Sequence, residues 1–284
     1  MSRIAYVAGH YLPHAQAAVH IEDRGFQFAD GVYEVIAVVG GRLVDEERHM
    51  VRLHRSLSEL RMAPPMGDTA LRVVLREVIR RNGVVNGIVY LQVTRGAAPR
   101  DHAFPKSARP TLVVTSRGSK PPNQRLVREG CSVITIPEIR WARCDIKSVA
   151  LLGNVLGKQL AREAGAYEAW FVDHDGNVTE GTSTNAWIVT ADGEVVTRKT
   201  DNAILSGVTR LAVLDLIHRE GYRLSERPFS VDEAKRAREA FLTSTTAAVM
   251  PVVRIDDAAV ANGNPGSLTE KLRVAYLGHA AATA

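Results

Sequence analysis

The sequence predicts two mixed α/β domains, and three observations lead there. Apolar residues switch repeatedly between a two-residue period and a helical period, so strands and helices alternate along the chain. A run of turn and breaker residues, Arg117-Gly-Ser-Lys-Pro-Pro-Asn-Gln124, interrupts that alternation. At 284 residues, 45% apolar and 24% charged, the chain is long enough to bury two medium cores. The predicted division is residues 1–118 and 119–284.

In the first half, Gly31 to Val39 and Arg42 to Val44 read as strands joined by the hairpin turn Gly40-Gly41. Alternation puts Tyr33, Val35 and Ala37 on one face and Glu34 and Ile36 on the other. Tyr33 is either an ordinary strand aromatic or a pocket wall. Residues 46 to 61 carry Met50, Leu53, Leu57 and Leu60 at helical spacing. Arg52 adjoins that stripe, where it can snorkel or hold an anion with its planar fork. A second helix spans about Thr69 to Arg81, with Asp68 as N-cap and Gly83 as the stop. Strands follow at Gly87 to Arg95 and Pro110 to Thr115. The loop between them is long for a hairpin and contains Arg100 and His102, which are either solvated charges or a carboxylate site.

In the second half, Cys131 to Ile136 reads as a strand and leads to Arg140-Trp-Ala-Arg-Cys-Asp-Ile-Lys147. Lys147 stands where a cationic segment meets the apolar run from Val149. Desolvation and the nearby Arg140 and Arg143 would favour a neutral, nucleophilic amine; the alternative is a surface lysine before a helix. That helix, about Val149 to Ala164, is expected to bury Leu152, Val155, Leu156 and Leu160. Glu180 lies in a run of small hydroxyl residues between the strands Glu168 to Val172 and Ala186 to Val189. Gly207 precedes a helix running to about Arg219, and the N–H groups of Val208 and Thr209 at such a start favour phosphate. Ser230 and Ser267 each open a capping box. A strand ends in Thr243-Ser-Thr-Thr246, whose hydroxyls either cap or complete an anion site.

A net charge of +5 is scattered rather than massed, which disfavours a dedicated nucleic-acid surface. The two cysteines, Cys131 and Cys144, have neither metal spacing nor a disulfide framework, so a reducing cytoplasm is expected. Met1 to Val7 has no apolar core for a signal peptide, and no segment approaches the roughly 20 apolar residues of a membrane helix.

Five motifs, Asp30-Gly-Val-Tyr-Glu34, Thr94-Arg-Gly-Ala-Ala-Pro-Arg-Asp-His102, Arg143-Cys-Asp-Ile-Lys-Ser148, Val178-Thr-Glu-Gly181 and Thr243-Ser-Thr-Thr246, occur in one order. In that order they resemble the fold-type IV pyridoxal-phosphate enzymes, most closely the bacterial D-amino acid aminotransferases. The likeness extends from about Gly25 to about Val253. It implies two α/β domains with the cofactor site between them, pyridoxal 5'-phosphate as cofactor and a homodimer. It further implies ping-pong transfer of the amino group of D-alanine or other D-amino acids to 2-oxoglutarate, giving pyruvate and D-glutamate.

By the same resemblance Lys147 carries the cofactor and moves the substrate proton, and Glu180 pairs with the pyridine nitrogen. Arg52, Val208, Thr209 and Thr245 anchor the phosphate. Tyr33, Arg100 and His102 bind the substrate α-carboxylate, and Val35, Leu205 and Thr246 are candidates for the side-chain pocket. Leu152-Gly-Asn-Val155 is also similar to the branched-chain L-aminotransferases. That relative, an (R)-amine transaminase and an aminodeoxychorismate lyase are the alternatives on the same fold.

Overall fold

Alternation along Gly31–Val39 buries Val32, Glu34, Ile36 and Val38 and leaves Tyr33, Val35 and Ala37 half-buried on the other face. That strand is the third of the computed structural model, which describes residues 3–120 and 123–284. The chain divides into two compact units: Met1–Lys120 with Ile146–Ala150 and Ala280–Ala284, and Pro121–Asp145 with Leu151–His279. Lys147 therefore groups with the first unit, whereas a division at residue 118 places it in the second half. Of the expected linker, Arg117 and Gly118 end a strand and Gln124 opens a helix. Pro121 and Pro122, like Met1 and Ser2 of the N-terminal stretch, lie outside the described residues.

The first unit contains β1 (Ile4–Val7), β2 (His10–Pro13), α1 (Arg24–Phe28), β3 (Gly31–Val39) and β4 (Arg42–Leu43). It continues with α2 (Glu46–Glu59), α3 (Asp68–Arg81), β5 (Gly87–Thr94) and β6 (Thr111–Gly118). Its six strands pair in the order β2-β1-β6-β5-β3-β4, antiparallel throughout. Gly40 and Gly41, both at positive φ, make the predicted β3–β4 turn, where φ +59° and +80° favour residues without a Cβ. Leu53 and Leu57 of α2 and Leu75 and Val78 of α3 pack with Ile36, Val89, Leu91 and Val114 of the sheet into one core, which Ile146 joins. Gly67, not Asp68, is the N-cap of α3; Asp68 sits in the first turn and accepts from His54 Nε2 at 2.7 Å.

The second unit contains α4 (Gln124–Glu129), β7 (Cys131–Pro137), α5 (Leu152–Glu163), β8 (Glu168–Val172), β9 (Val178–Gly181), β10 (Asn185–Val189) and β11 (Val195–Thr197). It ends with α6 (Val208–Arg219), β12 (Leu224–Glu226), α7 (Val231–Lys235), β13 (Glu239–Ser244), β14 (Ala248–Ile255), β15 (Ala258–Ala259) and most of α8 (Ser267–Thr283). The sheet runs β12-β11-β10-β13-β14-β7-β8-β9, with β15 also on β14. Its β14–β7, β7–β8 and β11–β12 pairs are parallel, and strands β8 to β11 are almost wholly buried, as parallel and mixed sheets covered on both faces require. Ser230 caps α7 through the N–H of Glu233 as expected. At α8, however, the N–H groups of Leu268 and Thr269 donate to the Glu239 carboxylate.

The face of α5 overturns its prediction. Leu152, Val155, Leu156 and Leu160 are exposed, by 72% at Leu152. The helix instead buries Gly157 and Ala161. A Cβ on Gly157 would stand 2.8 Å from Ile136 Cδ1 and 3.1 Å from Phe171 Cζ. Close approach to the sheet selects the small residues and turns the leucines outward.

Candidate active site

Lys147 follows Ile146, whose side chain belongs to the first core, so the lysine is held at a core edge by its own neighbour. Its main chain runs beside β3: Tyr33 N–H donates to Lys147 C=O at 3.0 Å, and Val149 N–H donates to Gly31 C=O at 3.0 Å. The hydroxyl of Ser56, on α2, accepts from Lys147 N–H at 3.2 Å. The ammonium lies 4.3 Å from the centroid of the Tyr33 ring. Sequence places Lys147 and Tyr33 in separate roles; the structure brings them together. Arg140 and Arg143, expected as cations that would depress the lysine, are each neutralised by carboxylates, Arg143 by Asp145 at 2.9 Å on both oxygens.

One turn of α2 presents His49 and Arg52 to the buried Glu34. Arg52 clamps the carboxylate with Nε and Nη2, each at 2.7 Å, and His49 Nδ1 donates to Oε2 at 2.7 Å. Burial works against a charged Glu34, but Arg52 and His49 outweigh it and hold the carboxyl down at about 2. Burial pushes His49 the other way, below its usual range. Arg52 is thus a fixed, buried cation rather than a snorkelling one. Sequence reasoning missed Glu34 and His49 as its partners. The signal was there in a carboxylate alternating onto the same strand face as Ile36.

Arg100 and His102 sit on the segment between β5 and β6, and both are exposed. They meet around one ring: the Arg100 guanidinium lies 5.0 Å from the Phe28 centroid, and the His102 ring 5.4 Å from it. Nothing in the sequence marks Phe28, at the end of α1, for this place. The Tyr33 ring meets that of Tyr90 at 5.7 Å, tilted by 31°, and the Tyr90 hydroxyl, pushed by burial to about 12, donates to Gln92 Oε1 at 2.7 Å.

In the second unit, Glu180 is a buried carboxylate. Its Oε1 accepts from Arg140 Nη1 at 2.5 Å, and its Oε2 accepts from Asn185 Nδ2 at 3.0 Å and from Leu205 N–H at 3.1 Å. Asn185 Nδ2 also donates to Leu205 C=O at 2.9 Å, so one amide ties the carboxylate to the loop before α6. Burial opposes the Arg140 charge, but Glu138 and Glu180 raise its pKa further. Arg140 Nη2 reaches Glu138 at 2.7 Å and Ala203 C=O at 3.1 Å. Cys144, pushed by burial to about 12, stays a thiol and donates to Trp141 C=O at 3.1 Å. Arg140 and Asn185 are the residues sequence reasoning missed as holders of Glu180.

The same loop ends at Gly207, the N-cap of α6, which has no side-chain cap among the described residues. Val208 and Thr209 open the helix, both buried, and Thr209 Oγ1 lies 3.3 Å from the Tyr276 hydroxyl. A Cβ on Gly207 would fall 2.2 Å from Asn185 Oδ1, so only glycine lets the loop pass this close. Thr245 is half-buried on the β13–β14 turn, which Ser244 Oγ braces by accepting from Ala247 N–H at 3.1 Å. Thr246 is exposed on that turn, and Val35 and Leu205 are half-buried. An uncapped helix start of this kind suits an anionic group.

Known proteins share both the sequence and the fold. Residues 31–255 match the family model described as amino-transferase class IV. The chain is 40% identical to the D-alanine aminotransferase of Bacillus licheniformis over 267 residues, 94% of this chain and 93% of that one. It is 38% identical to that of Listeria monocytogenes over 269 residues, 94% and 92% of the two chains. Among solved structures, it resembles the T.th. branched-chain amino acid aminotransferase with pyridoxamine 5'-phosphate. There the TM-score is 0.90 and the identity 26%, over 100% of this chain and 96% of that one. The Escherichia coli branched-chain enzyme shares the fold at a TM-score of 0.93 and 22% identity, over 100% and 96%.

Proposed function

The chain belongs to the class IV aminotransferases, and from that premise we propose that it transfers the amino group of D-alanine and other D-amino acids to 2-oxoglutarate, using pyridoxal 5'-phosphate. The observation that carries the reading is Lys147 held against the Tyr33 ring, in a chain that also holds a clamped Glu180 and is 40% identical to a D-alanine aminotransferase.

The residues present fit the cofactor. Glu180, held by Arg140, Asn185 and the Leu205 N–H, is a carboxylate of fixed orientation suited to a protonated pyridine nitrogen. Within the second unit the uncapped start of α6 at Val208 and Thr209 and the Thr245 hydroxyl are donors suited to a phosphate dianion, and within the first unit the Arg52 guanidinium is another. Once bound, pyridoxal phosphate supplies the electron sink for the carbanion at the substrate Cα.

In this reading Lys147 would hold the cofactor, and its amine would serve as the acid/base for the proton at the substrate Cα. Tyr33 bounds the ammonium with its ring face and, with Arg100 and His102, binds the substrate carboxylate. A carboxylate fixed on one side determines which enantiomer presents its Cα–H to the lysine, so handedness follows from the trap. Two domains dividing near residue 118 are proposed, with the Ile146–Ala150 stretch that carries Lys147 grouping with the first compact unit. The exposed Leu152, Val155, Leu156 and Leu160 of α5 support a homodimer, since a stripe of this kind is costly in water. Two buried free thiols support a cytoplasmic enzyme, and no helix among the described residues is long and apolar enough to cross a membrane.

Product analysis tests the reading. Pyruvate and D-glutamate should appear from D-alanine and 2-oxoglutarate, and L-glutamate from L-leucine should not. The opposite pattern would favour the branched-chain alternative, and pyruvate eliminated from aminodeoxychorismate, with no amino transfer from D-alanine, the lyase.

A further inference from the structure

Arg24 is 3% exposed. Its Nε donates to Asp30 Oδ2 at 2.8 Å. The other end of the guanidinium donates to two successive main-chain carbonyls, Asp101 at 2.6 Å and His102 at 3.5 Å. Its plane lies 4.8 Å from the Phe28 centroid, on the ring that also meets Arg100 and His102. Asp30 is shared with Arg95, which binds both its oxygens at 2.7 and 2.9 Å. Arg95 in turn stacks on Phe104 at 3.7 Å. Burial opposes the Asp30 charge, yet Arg95 and Arg24 hold the carboxyl below its usual range.

Besides Arg24, the segment so held is met by Arg95 and Arg61 at the Phe104 ring and by Phe28 at His102. From Pro99 to Pro110 it contains no strand or helix, and Arg100 through Phe104 are exposed. Its start is bound at Gly96 and Ala98, through Arg24 N–H to Gly96 C=O at 3.0 Å and Ala98 N–H to Glu22 C=O at 3.3 Å. A buried charge spent on two carbonyls of an exposed loop contributes little to a core. What it determines is where that loop stands. Two adjacent carbonyls also require two donors in one plane, which a guanidinium has and an ammonium lacks.

We propose that Arg24 is a positioning residue for substrate carboxylate binding: it clamps the main chain of Asp101 and His102 so that Arg100 and His102 are presented to the carboxylate in one geometry. The proposal rests on the assignment of Arg100 and His102 to the trap. It makes Asp30 and Phe28 parts of the same device, the first orienting the Arg24 fork and the second spacing it from Arg100.

The test is steady-state kinetics of the holoenzyme for wild type, Arg24→Met, Arg24→Lys, Arg100→Ala and the Arg24→Met/Arg100→Ala double variant. Amide exchange of residues 99–104 is measured alongside. Arg24→Met should raise KM for D-alanine about tenfold and leave kcat within about threefold, on the scale expected when a binding group is misplaced rather than removed. Arg24→Lys should fall between it and wild type. Exchange at 99–104 should quicken in both, and the cofactor band should not move. In the Arg100→Ala background Arg24→Met should add less than about twofold, because its effect passes through Arg100.

Multiplicative KM effects in the double variant overturn the proposal. So does an unchanged KM in Arg24→Met and Arg24→Lys while Arg100→Ala raises it. If Arg100→Ala leaves KM unchanged, the assignment of the trap has failed, and the positioning role falls with it. If Arg24→Met does not fold, Arg24→Lys decides by the same criteria.

Discussion

Arg52 and Arg100 belong to the same unit, and each is assigned an anion, but their surroundings are opposite. Arg52 is buried and already clamped on Glu34, with His49 completing the cluster. Arg100 is exposed, with its guanidinium against the face of Phe28. The first arrangement suits a group that stays, since a pre-set cation needs no reorganisation to hold a phosphate. The second suits a group that exchanges twice per ping-pong cycle, since an exposed cation can release a carboxylate into water. With Arg52 proposed for the cofactor phosphate and Arg100 for the substrate carboxylate, burial would separate permanence from turnover within one unit.

The largest effect that could break this comparison is at Lys147. Lys147→Ala should lower activity by about a thousandfold or more, the scale of losing a general acid/base together with the attachment point. The protein should remain folded, because the ties to Tyr33 and Ser56 are made by the main chain. Circular dichroism with turnover assays checks both halves.

Glu34→Ala comes next, on stability. It leaves Arg52 and His49 buried without their carboxylate, and breaking such a cluster costs about 3–5 kcal/mol. Denaturant unfolding should show a matching fall in midpoint. The milder Glu34→Gln sharpens the point through pH. A carboxyl held at about 2 in the folded state, against a usual 4.5, contributes stability that is present above pH 4.5 and is lost as pH falls toward about 2. The acid limb of the stability profile should therefore be shallower over that window in Glu34→Gln.

Arg100→Ala is the smaller counterpart. It should raise KM for D-alanine by about tenfold and leave the stability midpoint within about 0.5 kcal/mol, as befits an exposed residue. Smaller still is Ser56→Ala. It removes the acceptor for the Lys147 N–H and should cost about 1 kcal/mol of stability with little change in KM.

Much of this site was legible in the sequence because its residues violate local expectation. Glu34 alternates onto a buried strand face, and Arg52 adjoins the Met50–Leu53–Leu57 stripe. Each charge therefore pointed to a partner, although not to the other. Gly207 marked a helix start, and the family motifs marked Lys147 and Glu180. What was not legible depends on packing between distant segments. Arg140 lies 40 positions before Glu180 and reads only as a cation beside Lys147, and Asn185 reads as the end of a hydroxyl run. The four apolar residues of α5 have the right spacing for a core face. That spacing could not reveal that the sheet admits only Gly157 and Ala161. Arg24 was invisible for a related reason, since two of its three acceptors are main-chain carbonyls, which no residue type advertises.

The central claim is that this chain takes the amino group from a D-amino acid through Lys147, and absorbance spectroscopy of the holoenzyme tests it most directly. The visible band of the bound cofactor is followed on adding D-alanine without a 2-oxo acid, then on adding L-leucine in a separate sample. The band should fall with D-alanine, with release of one pyruvate per site, and stay unchanged with L-leucine. A band that answers to L-leucine and not to D-alanine would contradict the account of the trap. No band after addition of pyridoxal phosphate would contradict the role of Lys147 itself.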